Sequence, residues 1–97
     1  MPMDVIGQWQ EKTLRLSSKL TSATLENVML ETIDFPAKNC VVDASELVKV
    51  DSAGVAVLVW LRTMADAAGV ALIWQALPQN LIDLLALYEL YNEEMIK

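Results

Sequence analysis

Ninety-seven residues, 55% of them apolar, can enclose one hydrophobic core and leave too little chain for a second, so one domain spanning 1–97 is expected. Seven scattered Lys and Arg against thirteen Asp and Glu leave a formal charge of −6, which disfavours nucleic acid and anionic membrane surfaces and mildly favours a basic partner. With no histidine and a single cysteine, Cys40, the chain cannot assemble a zinc site of the usual ligands, a histidine-assisted nucleophile or an internal disulfide, and no metal or cofactor is expected.

The opening residues alternate in polarity over Val5 to Gln10 and again over Thr13 to Ser17, with Glu11-Lys12 between them, which predicts a β-hairpin. Thr21 and Ser22 can then cap a helix in which Leu25, Val28, Met29 and Thr32 recur at helical spacing, and Pro36 ends it. Asn39 to Asp43 is a short apolar run without polar alternation, predicting a central strand covered on both faces, in which Cys40 is a buried, inert thiol. Ala44 to Lys49 is a brief excursion leading to an apolar strand end at Val50. A long helix is expected from Ser52 to about Ala68, where Gly69 supplies a left-handed stop. Val70 to Trp74 reads as a further strand, and Pro78 starts a last helix carrying Leu81, Leu84, Leu85 and Tyr88 along one side. After the hairpin, helices and strands alternate, so the expected class is α/β, a mixed sheet with helices packed against it.

No run reaches the roughly eighteen apolar residues of a membrane span, and the amino end lacks a signal-peptide pattern, so a cytoplasmic chain without direct membrane insertion is expected. Gly7, Gly54 and Gly69 are too far apart to cradle a phosphate in a nucleotide-binding loop. Asp43 and Asp51 each stand at a strand end, where capping of turns is the commoner work for a carboxylate than catalysis.

The segment Asp51-Ser52-Ala53-Gly54 concentrates the functional signal. It places Ser52 at the amino end of a helix, where unpaired N–H groups and a partial positive charge suit a capping hydroxyl, a bound anion or a phosphorylated serine. At about 100° per residue, Val57, Leu58, Trp60, Leu61, Met64, Ala65 and Ala68 share one arc that should face the sheet. The opposite arc mixes Val55 and Val59 with Arg62, Thr63 and Asp66 on the side of Ser52, the pattern of a docking stripe or of isolated exposed valines. Trp60 and Trp74 are expected in the core; Trp9, Tyr88 and Tyr91 suit either core or partner contact, and Leu87 and Leu90 lie off the apolar side of the last helix as a second patch.

Val41-Val42-Asp43-Ala44-Ser45 followed by Val48-Lys49-Val50-Asp51-Ser52-Ala53-Gly54-Val55 resembles the signature of STAS domains, the group shared by sulfate-transporter tails and anti-sigma-factor antagonists. The element order matches that fold over nearly the whole chain. Length, the cysteine-bearing central strand and the ending Leu85-Ala86-Leu87-Tyr88-Glu89-Leu90 resemble the short stand-alone STAS subunits of bacterial phospholipid-trafficking (Mla-type) ABC transporters. Antagonists more often carry Ser or Thr where this chain has Ala53, and Leu16 to Thr21 departs from both groups in lacking a glycine followed by an acid.

The transporter resemblance implies a protein with no reaction of its own, held at the inner membrane through its partners. It would dock on the ATPase subunit of an ATPase–permease complex and support its assembly or activity. The contact would comprise Ser52, Ala53, Gly54, Val55, Val59 and Arg62, with Asp43 and Asp51 structuring the loops. The antagonist resemblance implies instead a switch in which an anti-sigma-factor kinase phosphorylates Ser52.

Overall fold

The computed structural model describes residues 5–26 and 33–87. Among these described residues the strands and longer helices follow one another as β1 (Gly7–Gln10), β2 (Thr13–Leu16), β3 (Lys19–Leu20), β4 (Asn39–Asp43), β5 (Lys49–Val50), α1 (Ser52–Ala68), β6 (Ala71–Gln75) and α2 (Gln79–Leu87). The first two strands are the antiparallel hairpin, turning through Glu11 at φ 56°. Val5 and Ile6 are helical rather than extended: Ile6 is fully buried, and the pair is pinned from across the hairpin, where Ser17 donates its N–H to the Ile6 carbonyl at 2.9 Å and its hydroxyl to the Val5 carbonyl at 2.6 Å.

The main sheet has the order β1-β2-β4-β6, antiparallel at the hairpin and parallel thereafter. Its register lines up Trp9, Leu14, Val42 and Trp74 in one row across all four strands. Leu14, Val42 and Trp74 are buried, whereas the neighbouring row on the opposite face, Gln8, Arg15, Asp43 and Gln75, is polar. Because strand side chains alternate between faces, one face of the sheet carries the core and the other is polar. The expectation that Asn39–Asp43 is covered on both faces is therefore corrected: the strand is central, but Val41 is only half-buried and Asn39 is exposed. Val41 and Ile73 supply an apolar centre to this outer face without being sealed off, so an unbroken apolar run here does not signal two covered faces.

Val50 ends a short strand, as expected. It joins no main-sheet strand but pairs with Leu20 in a separate two-stranded parallel sheet, β3-β5, steadied by the Ser18 carbonyl, which accepts from Val48 and Lys49 at 2.7 and 3.0 Å. In the helix predicted after Leu20, the Leu25 N–H reaches the Thr21 carbonyl at 2.9 Å; Val28, Met29 and Thr32 lie outside the described residues. Gly69 closes α1 in the left-handed conformation (φ 71°, ψ 29°), as its position in the sequence predicts.

The core joins Ile6, Leu14, Leu16 and Leu20 to Leu58 and Leu61 of α1 and to Leu81 and Leu85 of α2, all 3% exposed or less. Each such side chain contributes roughly 1.5–3 kcal/mol by leaving water. Trp9 packs edge-on against Phe35 with ring centroids 6.1 Å apart and planes at 83°, Trp60 is half-buried against the core, and Cys40 is fully buried, its thiol on the Ala37 carbonyl at 3.3 Å.

The first turn of α1 rests directly on the small sheet. A methyl group on Gly54 would meet the Leu20 carbonyl oxygen and lie 2.7 Å from Val50 Cγ2, so only glycine admits this approach. Gly54→Ala is expected to destabilise the fold by about 1–3 kcal/mol, the cost of forcing extra volume into a close-packed contact. Urea denaturation compared with Ala56→Gly, at an exposed helical position, measures it.

Candidate partner-binding site at the start of the first helix

Asp51, extended at φ −126° and ψ −168°, is the residue that caps α1. One carboxylate oxygen accepts the N–H groups of Ala53 at 2.9 Å and Gly54 at 3.3 Å; the other accepts the N–H of Ser22 at 2.9 Å. Its own N–H donates to the Leu20 carbonyl at 3.3 Å, and its carbonyl accepts the first helical bond from Val55 at 3.0 Å. Asp51 rather than Ser52 is thus the cap, as its place at a strand end allows, because a carboxylate can serve two helix donors and a neighbouring loop at once. Nor does the helix end resemble a ready receptor for a free anion, since the chain's own carboxylate already occupies its first donors.

Relieved of capping, Ser52 is exposed as the first residue of α1. Ala56, Val59 and Thr63 follow it at intervals of one turn and are exposed too, with Arg62 and Asp66 alongside. The structure therefore brings Ser52, Val59 and Arg62 to one accessible face and leaves Ala53 half-buried at its edge. It does not bring Gly54 or Val55 there. Gly54 faces the small sheet, and Val55, 3% exposed, joins the core cluster that holds Leu81 and Leu85 of α2. Val55 falls outside a surface contact because it is buried in that shared core, which one helix's periodicity does not reveal. Ala56 takes its place on the stripe; its spacing of four from Ser52 was the available signal, but alanine is too small to stand out as an apolar contact. The Thr63 hydroxyl is turned back onto the Val59 carbonyl at 2.9 Å, so the stripe there presents its methyl-bearing side chain with the donor already engaged.

Asp43 organises the other loop. Its carboxylate accepts the Ser45 N–H at 2.9 Å and lies 3.8 Å from the Arg15 guanidinium, which also approaches Glu46 at 3.4 Å. These pairs are substantially solvated and add little stability. The Ser45 N–H, chiefly, lowers the Asp43 pKa, and the Ser22 N–H does the same for Asp51, with Gly54 and Ala53 assisting. Among the described residues no cluster of three metal-ligating side chains occurs, and no helix is long and apolar enough to cross a membrane.

A mixed sheet with helices on one face, and a helix opening on Asp-Ser-small-Gly beside a second strand pair, define a STAS-type fold. The chain belongs to the family described as Mlab, STAS domain, whose model matches residues 5–97. No curated protein and no solved structure matches it.

Because its native carboxylate binds three backbone donors, Asp51 stabilises the fold most fully at pH above the ordinary aspartate range, and that contribution is lost as pH falls through its lowered pKa. Asp51→Asn is expected to be less stable than wild type at neutral pH and to show a shallower loss of stability on acidification. Urea midpoints measured from pH 7 down to pH 3, with Asp43→Asn as the companion, report both effects.

Proposed function

We propose that this chain is a non-catalytic docking subunit that binds, through the Ser52 end of α1, the cytoplasmic ATPase subunit of an Mla-type phospholipid ABC transporter and supports its assembly or activity. The observation that carries this reading is the division of labour between two adjacent residues: Asp51 holds the helix end, and Ser52 stands free on a face of small and apolar side chains. A capping serine would have its hydroxyl engaged by its own helix; this one is exposed and has no hydrogen bond among the described residues. Ala56 and Val59 supply close approach, Arg62 a charge at the rim, and membership of the Mlab, STAS domain family favours a transporter partner over other docking roles.

A second reading, the antagonist switch, draws on the same exposure, since an accessible Ser52 hydroxyl can also meet a kinase. A phosphate there would stand beside the Asp51 carboxylate, with helix donors already committed, so repulsion rather than new bonding would dominate.

Affinity capture of the tagged chain from its native cells, with mass spectrometry of the co-purifying proteins and of the Ser52 peptide, tests both. Recovery of an ABC ATPase with unmodified Ser52 is expected, and Ser52→Arg should abolish that recovery, because it places an unmatched charge at the centre of the contact. Ser52→Ala should weaken binding by no more than about 1–3 kcal/mol, the range for a lost hydrogen bond. Undiminished ATPase recovery with Ser52→Arg would overturn the docking reading, and phosphate on Ser52 together with a kinase-like anti-sigma factor would replace it.

A further inference from the structure

The main sheet ends in two edge strands, β1 and β6. Along β6 the backbone groups alternate in direction. Ala71 donates its N–H to the Lys38 carbonyl at 2.8 Å and the Gln75 carbonyl accepts from Ala44 at 3.0 Å, so Ala71, Ile73 and Gln75 bond towards β4 while the N–H and C=O of Leu72 and Trp74 point to the open edge. Among the described residues no strand pairs with that edge. We infer that it pairs with β6 of a second copy of this chain, antiparallel and centred on Ile73, joining two four-stranded sheets into one.

The free groups fix the register. Centring on Ile73 sets Leu72 opposite Trp74 of the second copy, and the two such pairs related by the two-fold axis use every free backbone group of both residues. Centring on Leu72 would need Val70, whose N–H already closes α1 on the Ala65 carbonyl at 2.8 Å. Centring on Trp74 would need Ala76, which leaves the strand at φ 57°. On the outer face Ile73, half-buried beside Val41, then meets its own counterpart across the axis and enlarges the apolar centre of that face.

The sequence of β6 selects a like strand as the occupant. Natural edges are guarded by lysine, proline or a bulge; β6 carries neither residue, and its five residues pair with β4 without a break. The other edge, β1, is guarded: Val5 and Ile6 curl out of the strand at one end, and Glu11 and Lys12 stand at the other. No charged residue lies between Asp66 and Asp83, so two chains of charge −6 approach with least repulsion along this strip, and a basic partner finds no carboxylate on it.

Sedimentation equilibrium of the purified chain, carried to millimolar concentration, is expected to show a mass rising from 10.8 kDa towards twice that value. Ile73→Lys sets two ammonium groups face to face on the axis and should hold the mass at that of one chain, with an unchanged far-UV spectrum. Cysteine reads the register. Ile73→Cys brings two Cα atoms to about 4.5 Å, within disulfide range, and oxidised glutathione is expected to link the two thiols across the axis; in Ala71→Cys the same atoms stand roughly 13 Å apart and stay unlinked. The wild type, whose Cys40 is buried, is the control. A single-chain mass at every concentration leaves the edge to some other strand and overturns the proposal, as does a dimer that Ile73→Lys leaves intact. If Ile73→Lys does not fold, the cysteines decide: linking of both variants alike, or of neither, overturns the pairing. The docking reading stands or falls separately, since its variants lie on α1.

Discussion

The structure hangs on the Asp51 carboxylate. Its two oxygens gather backbone donors from two places, the start of α1 and the loop at Ser22, 29 residues before Asp51 in the chain, while its N–H returns to Leu20 on β3. A helix end leaves its first N–H groups without partners, and a loop crossing beside it has the same difficulty. One acceptor with four lone pairs answers both, and the geometry that lets it do so requires α1 to sit low on the β3-β5 pair. Gly54 is the steric counterpart of that electrostatic contact, because only a residue without a side chain lets the helix descend far enough onto Leu20 and Val50.

From this follows the placement of everything on the exposed face of α1. With α1 pinned at its amino end, its buried arc through Leu58, Leu61 and Ala65 is directed onto the sheet, and Val55 joins the core shared with α2. What remains outward is the line from Ser52 through Ala56 and Val59 to Thr63. The face is thus a by-product of core packing along most of its length and of capping at its end. The polar side of the sheet obeys the same economy: Arg15 and Asp43 are register neighbours on β2 and β4, so their attraction follows from strand pairing and adds little to it.

The fold was legible wherever one element's own pattern decided the outcome. The hairpin turn, the helix from Ser52 to Gly69, the strand after it and the helix opened by Pro78 all follow from local signals of alternation, capping and termination. The misreadings share another cause, a second element whose position local sequence does not encode. Val41 resembles a residue covered on two faces until the helices are seen to gather on one. Val55 looks exposed on the pattern of its own helix until it is found in the core cluster that also holds Leu81 and Leu85. Ser52 and Asp51 present the subtler case. Both residue types cap helices well, and the choice between them turns on Ser22, a donor far away in the chain that only the carboxylate can reach while still holding the helix.

That choice bears on what an Asp-Ser pair provides that a lone serine does not. A serine that caps its helix cannot also offer its hydroxyl to a partner without weakening the helix end, since the same oxygen would have to leave the N–H groups it serves. Moving the cap to Asp51 separates the two tasks, so contact at Ser52 can form or dissolve while α1 keeps its orientation on the small sheet. The separation also constrains modification. A phosphate on Ser52 would gain little from a helix terminus whose donors are committed and would face the Asp51 carboxylate at close quarters. Charge added at this position would therefore act outward, on whatever lies against the helix, more than inward on the fold.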